Sequence, residues 1–258
     1  GLGTTADKGS YHERKLSNLN LMTGTVELWN ANNWTISNLE VTNSAGSGKR
    51  DAMRIGILVA SDISTAYPQG NDSQTIQKKL AIFKASHRTG ITVDNNYVHD
   101  VEGAYQSDPV PDNTGKMVPA GKNSGGIIIV GNTDAVAKNN VVTDVSNEGL
   151  RNDANASVLP GGWDQYSFKA SAKINFHNNY SAGDGIVISS SENGTAEYNT
   201  VQAANSMPNS KNEAGVSKNF AGLWFMGGEY NFAQYNEVFD IPNHYLDGAA
   251  FDFDGFAS

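Results

Sequence analysis

The chain has 258 residues, and 18 Lys and Arg against 27 Asp and Glu give it a net charge of −9. This charge argues against nucleic-acid binding, which depends on basic patches that neutralise phosphate, and it disfavours strongly acidic substrates. The absence of cysteine excludes disulfides, thiolate metal sites and a cysteine nucleophile. No apolar run approaches the ~20 residues of a membrane-spanning helix. Because the charge disfavours nucleic acids and acidic substrates, neutral glycans remain a natural class of partner.

Two short phrases alternate along the chain. The first, Asn-x-Val-x-Asp, occupies 96–100, 140–144 and 236–240, with weaker copies that start at Asn38, Asn179 and Asn199. The second is a glycine followed by an apolar run, at 56–59, 126–129, 185–188 and 222–225, with a degenerate copy at 249–252. The 20 residues from Asn179 to Asn199 match one coil of a parallel β-helix, which holds three short strands and their turns.

The residue types in these phrases favour the same architecture. Apolar β-branched runs suit buried strands, and Asn suits the turns because it tolerates the left-handed conformation. Stacked Asn side chains can also hydrogen-bond along the axis. We therefore predict an all-β chain folded as a right-handed parallel β-helix, with residues 1–258 forming a single domain. A β-sandwich or a propeller is the alternative, but only Asn193-Gly194 has the form of a hairpin turn.

Longer spacings between phrases predict loops inserted between strands. These loops are predicted at 62–80, 103–123, 146–168 and 203–219, all polar and rich in turn residues. Within the first, residues 73–85 could form either a short helix or the next strand. No Asn-x-Val-x-Asp phrase follows the last strand phrase, so we expect further coils, in a missing segment or in another chain, to complete the solenoid.

Alignment of the strand phrases on their glycine, with Ala249 as its last equivalent, predicts which side chains face the core. The predicted inward columns are Leu58, Ile128, Val187, Trp224 and Phe251, and Ala60, Val130, Ser189, Met226 and Phe253. The predicted outward columns are Val59, Ile129, Ile188, Phe225 and Asp252, and Ser61, Gly131, Ser190, Gly227 and Asp254. The small residues that lead to Asp254 would form the floor of a shallow groove for a sugar.

Three carboxylates, Asp247, Asp252 and Asp254, are therefore expected near one strand. Glycosidic hydrolysis generally uses two carboxylates, one protonated as the acid and one ionised as nucleophile or base. Crowding favours this division because it raises the pKa of at least one member of a carboxylate group. The alternative interpretation is that these aspartates are solvated residues of a turn.

The segments 234–240 and 247–255 together resemble a phrase of bacterial parallel β-helix glycoside hydrolases, most closely the lacto-N-biosidases of glycoside hydrolase family 136. The resemblance implies a secreted or cell-surface enzyme that releases lacto-N-biose from human milk oligosaccharides with retention. It also implies that two aspartates seven residues apart are catalytic, with Asp247 as the acid/base and Asp254 as the nucleophile. Outside about 234–255 the similarity is that of generic β-helix repeats.

The chain geometry sets a condition on this pair. Seven extended residues would span ~23 Å, whereas the carboxyl groups of a retaining pair lie only ~5–5.5 Å apart. Asp247 must therefore lie on a sharp bend that returns it over the strand, and Gly248 permits one. Without that bend, Asp252 and Asp254 become the working pair, because they share a face at a Cα separation of ~6.5–7 Å.

Further residues are predicted around this site. Trp163, in a Gly-rich loop, is a candidate platform for a sugar ring, and His244 and Tyr245 are candidates to line the pocket. Trp224 is predicted to be a core residue. No cofactor is predicted and no histidine cluster has metal-ligand spacing, although calcium bound by scattered Asp and Asn stays open.

Two other functions remain open. A polysaccharide lyase on the same scaffold would need a Lys or Arg on the outward strand face, and the predicted outward columns contain none; Arg54 is the nearest. A non-catalytic adhesin or tail-fibre-like solenoid would bind glycans through its loops and would not depend on Asp247 or Asp254.

Overall fold

In a computed structural model the chain is an all-β protein with parallel strand pairing, as predicted. The structure describes residues 22–46, 50–61, 68, 70, 72–105, 108–112, 114–120, 123–153, 173–177, 180–202, 221–241 and 249–254. The elements in chain order are β1 Met22–Trp29, β2 Trp34–Ser37, β3 Glu40–Asn43, β4 Met53–Ala60, α1 Ser73–Ser86, β5 Arg88–Asp94, β6 Tyr97–Val101, β7 Pro109–Pro111, β8 Met117–Pro119, β9 Gly125–Val130, β10 Asn132–Lys138, β11 Val141–Asp153, β12 Lys173–His177, β13 Tyr180–Glu192, β14 Thr195–Glu197, β15 Thr200–Gln202, β16 Leu223–Glu229, β17 Phe232–Gln234, β18 Glu237–Phe239 and β19 Phe251–Asp254.

The strands pair in parallel in three runs, which the chain visits in a repeating order. The first run is β1, β4, β9, the second half of β11, the second half of β13, β16 and β19. The second run is β2, β5, β10, β12, β14 and β17. The third run is β3, β6, the first half of β11, the first half of β13, β15 and β18. Three strands, one from each run, thus form a unit that recurs along the chain.

The main core lies between the three runs. Alternate residues of the first run point into it, for example Ile57 and Val59 of β4 and Leu223 and Phe225 of β16. Alternation along each strand sends the intervening residues, such as Leu58, to the opposite face of the sheet, which we call the outer face. The core residues are mostly β-branched, which suits strands that are buried on the pleated surface.

The two sequence phrases of one unit face each other across this core. A Cβ added to Gly126 would lie 2.3 Å from a methyl of Val142, and one added to Gly222 would lie 2.3 Å from a methyl of Val238. No side chain fits at such a distance, so the glycine is required by close approach. The glycine phrase and the Asn-x-Val-x-Asp phrase are therefore two halves of one packing unit.

Asparagine side chains form the predicted hydrogen-bonded ladder at the turn between the second and third runs. The Oδ1 of Asn140 accepts from the backbone N of Asn96 at 3.1 Å and from its Nδ2 at 2.9 Å. The same pattern joins Asn199 to Asn236. The left-handed residue is not the ladder asparagine, however, but the residue before it, such as Asn139 at φ 56°. The ladder side chain instead forms hydrogen bonds to the neighbouring unit along the axis.

We predict that Asn140→Ala lowers the free energy of unfolding by about 2–6 kcal/mol, because two buried donors of Asn96 lose their acceptor and each costs about 1–3 kcal/mol. Chemical denaturation of the two proteins measures the change. Thr143→Ala, three residues along on the partly exposed side of β11, is the control and is expected to cost less than about 1 kcal/mol. Equal losses from both substitutions would contradict a special role for the ladder.

The inserted segments have their own structures. Residues 73–85 belong to a helix, α1, because the Asp72 carboxylate caps it by accepting from the backbone N of Gln74 at 3.1 Å and of Thr75 at 3.0 Å. The hydrogen bond from the Thr75 hydroxyl is the main cause that lowers the pKa of Asp72. The loop predicted at 146–168 is wrong in its first part, since 148–153 form a strand of the first run. The loop predicted at 203–219 lies outside the described residues.

The insertion after β6 covers one part of the outer face. Its strands β7 and β8 form an antiparallel hairpin, and Ala104, Val110 and Ala120 of this insertion pack against Leu58 and Ile128. The outer face of β4 and β9 is therefore buried under a local cluster. In the part of the chain that the structure describes, no helix combines the length and apolarity needed to cross a lipid bilayer.

Candidate functional site

Strand β19 places two of the predicted carboxylate residues in register with earlier units. Asp252 pairs with Trp224 of β16, and Asp254 pairs with Met226. The neighbouring residues of β16, Leu223 and Phe225, belong to the main core. Because positions alternate along a strand, Asp252 therefore belongs to the outer face, and Asp254 is two positions further along the same strand, with Cα atoms about 6.5–7 Å apart. The prediction that these two residues share a face agrees with this backbone register.

The predicted inward and outward columns are wrong by one position. Gly222 is level with Ala250, not with Ala249, since Leu223 pairs with Phe251. In the structure Val59, Ile129, Ile188 and Phe225 face the core, whereas Leu58, Ile128, Val187 and Trp224 face outward. The physical reason lies in the backbone at the glycine. A Cβ on Gly56 or Gly126 would meet a core valine, and the residue that follows each glycine also belongs to the core. Two consecutive positions therefore face inward, and alternation counted from the glycine has the wrong phase.

Asp254 consequently has different neighbours from those predicted. It is level with Met226, which pairs with Ser189, which pairs with Asp153. The predicted floor of Ser61, Gly131, Ser190 and Gly227 does not lead to it. The column of Asp254 thus contains two other polar residues, Ser189 and Asp153.

A second outer column leads to Asp252. It consists of Arg151, Val187, Trp224 and Asp252, one from each successive strand. Neighbouring strands lie about 4.8 Å apart, so the Trp224 backbone is one strand away from Asp252. The Trp224 side chain is 8% exposed and packs with Val187, Ala221 and Ala249. Trp224 is buried as predicted, but on the outer face and not in the main core. The Trp224 indole therefore places an apolar group next to the position of the Asp252 carboxylate.

The residues described on either side of 242–248 pack on different faces. Ile241 packs against the main core, and Ala249 packs against Trp224 on the outer face. The backbone bends at Ala250, immediately before β19. The residues between these points, 242–248, include Asp247, His244 and Tyr245 and lie outside the described residues, as does Trp163.

A buried ion pair on the outer face was not predicted. Arg151 Nη1 lies 2.9 and 2.7 Å from the two carboxylate oxygens of Glu148, and the side chains are 4% and 1% exposed. Arg151 contradicts the prediction that the outward columns contain no Lys or Arg. The sequence pattern predicts a loop at 148–153 because Glu148, Arg151 and Asn152 stand where other units have an apolar run. The sequence signal for this strand is Gly149-Leu150, a glycine and an apolar residue that follow the Asn-x-Val-x-Asp phrase at 140–144.

The Glu148–Arg151 pair does not create a basic groove. The guanidinium is neutralised by the carboxylate at contact distance and is shielded from solvent. Such a buried pair is sensitive to the loss of either partner, because the remaining charge would be desolvated without compensation. Arg151 lies in the column that continues through Val187 to Trp224 and Asp252.

His99 forms a separate cluster on the third run. Its Nδ1 is 2.8 Å from Asp100 Oδ2, its Nε2 is 3.2 Å from Glu40 Oε1, and its ring stacks on Tyr97 at 4.2 Å. The hydrogen bond to Asp100 raises the pKa of His99 above 6.5; burial opposes this, and the hydrogen bond to Glu40 also raises it. These contacts explain a structural role for this histidine.

We predict a pH-dependent contribution from His99. Because its folded pKa is raised, the stabilising interaction is fully present below the unfolded pKa of about 6.5 and is lost as the pH rises through the folded pKa. The excess in melting temperature of the wild type over His99→Gln should therefore shrink as the pH is raised. NMR titration of the His99 ring gives the pKa directly, and a value at or below 6.5 would contradict the prediction.

Among the residues that the structure describes, no group of three or more His, Cys, Asp or Glu side chains is arranged to hold a metal ion. Calcium binding therefore stays without a candidate site in that part of the chain.

A solved structure with a similar fold is the lacto-N-biosidase of glycoside hydrolase family 136 from Eubacterium ramulus, as the native protein. The similarity has a TM-score of 0.58 and 18% sequence identity, and it covers 91% of this chain and 38% of that chain. Neither a family model nor a curated protein matches the sequence. The chain thus spans 38% of the length of its structural neighbour, and at this identity the similarity shows the fold alone.

Proposed function

We propose that the chain is part of a right-handed parallel β-helix that acts as a retaining glycoside hydrolase on a neutral oligosaccharide. The observation that carries the proposal is the position of Asp252 on the outer face beside Trp224, with Asp254 two positions further along the same strand, in a chain that shares its fold with a lacto-N-biosidase. The best candidate activity is the release of lacto-N-biose from milk-type glycans. We further propose a bacterial protein that is secreted or displayed at the cell surface.

Two carboxylates suffice for this chemistry. Asp254, as the nucleophile, would attack the anomeric carbon while Asp247 donates its proton to the departing glycosidic oxygen. Asp247 would then take a proton from water, whose oxygen attacks the same carbon and releases Asp254. Both residues return to their starting states, and the double displacement retains the anomeric configuration.

The path into β19 is compatible with this pair but does not require it. Leu223 N donates to Ala250 O at 2.9 Å, which fixes the backbone at the bend. Asp247 precedes that bend by three residues, and so a further turn at Gly248 would bring it back towards the strand. Asp252 and Asp254 form the alternative pair, since their Cα spacing of about 6.5–7 Å needs no bend.

The surrounding residues define the proposed substrate. Trp163, His244 and Tyr245 are proposed to supply the sugar contacts, whereas Trp224, 8% exposed, is buried one strand away from Asp252. The net charge of −9 and the neutralised Arg151 both favour an uncharged glycan over a uronate polymer. This is the physical reason to prefer a hydrolase to a lyase here.

Further strands are proposed to continue the solenoid beyond β19, in this chain or another. Phe251 and Phe253 are 43% and 62% exposed although they continue core columns of the first run. The ring of Phe253 stacks on Phe225 with centroids 5.6 Å apart. Another strand in register would cover these rings and extend the outer face beside the aspartates.

The test is glycan release from lacto-N-tetraose and a panel of neutral oligosaccharides, using the full-length protein and any partner that completes it. Release of a disaccharide with retained configuration supports the proposal. Formation of an unsaturated, ultraviolet-absorbing product from a uronate polymer would support the lyase. Glycan binding without turnover of any substrate would support the adhesin, and either result would overturn the hydrolase.

A further inference from the structure

Two stacked tyrosines stand on the surface at the turn between the second and third strand runs. Tyr198 precedes β15 and Tyr235 precedes β18, and their ring centroids are 4.9 Å apart with planes at 19°. The residues are 51% and 69% exposed. Asp252 belongs to the first run, whereas this turn joins the second and third runs. The tyrosine surface is therefore separate from the proposed catalytic face.

The backbone does not favour tyrosine at these positions. Tyr198 and Tyr235 both have φ 55°, in the left-handed region. The corresponding turn positions of earlier units are Asn38, Asn95 and Asn139, with φ between 54° and 60°. Asparagine adopts this conformation readily, whereas a bulky aromatic residue does so at a cost, and such costs are concentrated at ligand sites. The turn alone therefore gives no reason for two aromatic rings.

Hydrogen bonds join the residues on either side of the two tyrosines. The ladder hydrogen bonds from Asn199 N and Nδ2 to Asn236 Oδ1, both at 3.0 Å, fix the residues that follow the two tyrosines. On the second-run side, Gln234 Nε2 donates to Glu197 Oε1. The surface thus offers aromatic carbon flanked by amide and carboxylate oxygens.

We propose that the Tyr198–Tyr235 surface is a second, non-catalytic binding site for a neutral glycan. The apolar C–H face of a pyranose ring packs on an aromatic ring, as in other sites where Tyr combines an apolar body with a polar tip. The Gln234 and Glu197 side chains accept hydrogen bonds from sugar hydroxyls. The negative charge of Glu197 and of the chain as a whole disfavours anionic polysaccharides.

The glycan site is tested by NMR titration of the Asp254→Asn protein with lacto-N-tetraose, cellohexaose and xylohexaose. Binding is measured without turnover, so the result does not depend on the proposed hydrolase. We expect at least one of these sugars to shift the amide signals of Asn199 and Asn236. The Tyr198→Asn/Tyr235→Asn variant should weaken this binding about tenfold or more, with an unchanged or higher melting temperature, because asparagine is the residue of the earlier turns.

Tyr230→Asn is the matched control. Tyr230 has the same φ of 55° and is 63% exposed, but it lies at the turn before β17, so its replacement should leave the affinity unchanged. Tyr235→Phe keeps the ring and should retain binding within about threefold. Absence of these shifts with all three sugars would overturn the proposal, as would equal affinity of the double variant. Either result would leave the stacked rings with a structural role only.

Discussion

Replacement of Asp254 by asparagine is expected to reduce the rate of glycan release by about 10³-fold or more, with folding unchanged. The amide is nearly isosteric with the carboxylate but cannot form the glycosyl-enzyme intermediate on which retention depends. Release of disaccharide from lacto-N-tetraose measures the rate, and far-ultraviolet circular dichroism with thermal melting tests the fold. Activity that survives the substitution would return Asp254 to the interpretation of a solvated residue.

The identity of the second carboxylate follows from the same assay on two further variants. If Asp247 is the acid/base, Asp247→Asn should match the loss in Asp254→Asn, while Asp252→Asn should retain most of the activity. If Asp252 and Asp254 are the catalytic pair instead, Asp252→Asn should match the loss in Asp254→Asn, and Asp247→Asn should retain most of the activity. Azide rescue of an Asp254→Ala variant should give a glycosyl azide of inverted configuration if Asp254 is the nucleophile, and one of retained configuration if it is the acid/base.

Replacement of Arg151 by methionine, which leaves the buried Glu148 carboxylate unpaired, is expected to lower the free energy of unfolding by about 3–5 kcal/mol. The substitution leaves the Glu148 carboxylate, 1% exposed, without its partner, and an uncompensated buried charge is strongly unfavourable. The Glu148→Gln variant should lose a similar amount for the same reason. Urea denaturation of the complete protein measures both changes.

A double-mutant cycle separates the pair from its surroundings. Glu148→Gln combined with Arg151→Met should cost less than the sum of the single changes, because no charge then remains buried. Asp51→Asn is the control: its partner Arg54 lies 2.5 Å away, but Asp51 is 62% exposed, and exposed pairs contribute about 0–1 kcal/mol. Additive losses in the cycle would contradict the proposed coupling.

The repeat phrases predicted most of the strands because their information is local. A β-branched run after a glycine and an asparagine at each turn are properties of a few adjacent residues. The ladder from Asn96 to Asn140 also follows from repetition, since equivalent residues in stacked units are neighbours. Even the outward position of Asp252 was predicted, although the columns assigned to the strand were wrong.

Tertiary structure was needed where a choice depended on contacts between distant segments. Residues 73–85 were compatible with a helix or a strand, and the choice of helix goes with the cap at Asp72. The strand at 148–153 was hidden because its outer-face side chains are charged. Only the packed structure shows Glu148 and Arg151 neutralising each other away from solvent.

The sequence by itself determined an all-β chain of repeated units, the asparagine ladder and the strand that carries Asp252 and Asp254. These features depend on local propensity and on the equivalence of stacked positions. Only the tertiary structure decided the inward phase of each strand, the burial of the Glu148–Arg151 pair and the stacking of Tyr198 on Tyr235. Those features depend on how the backbone turns at a corner and on which side chains then meet, which no short stretch of sequence encodes.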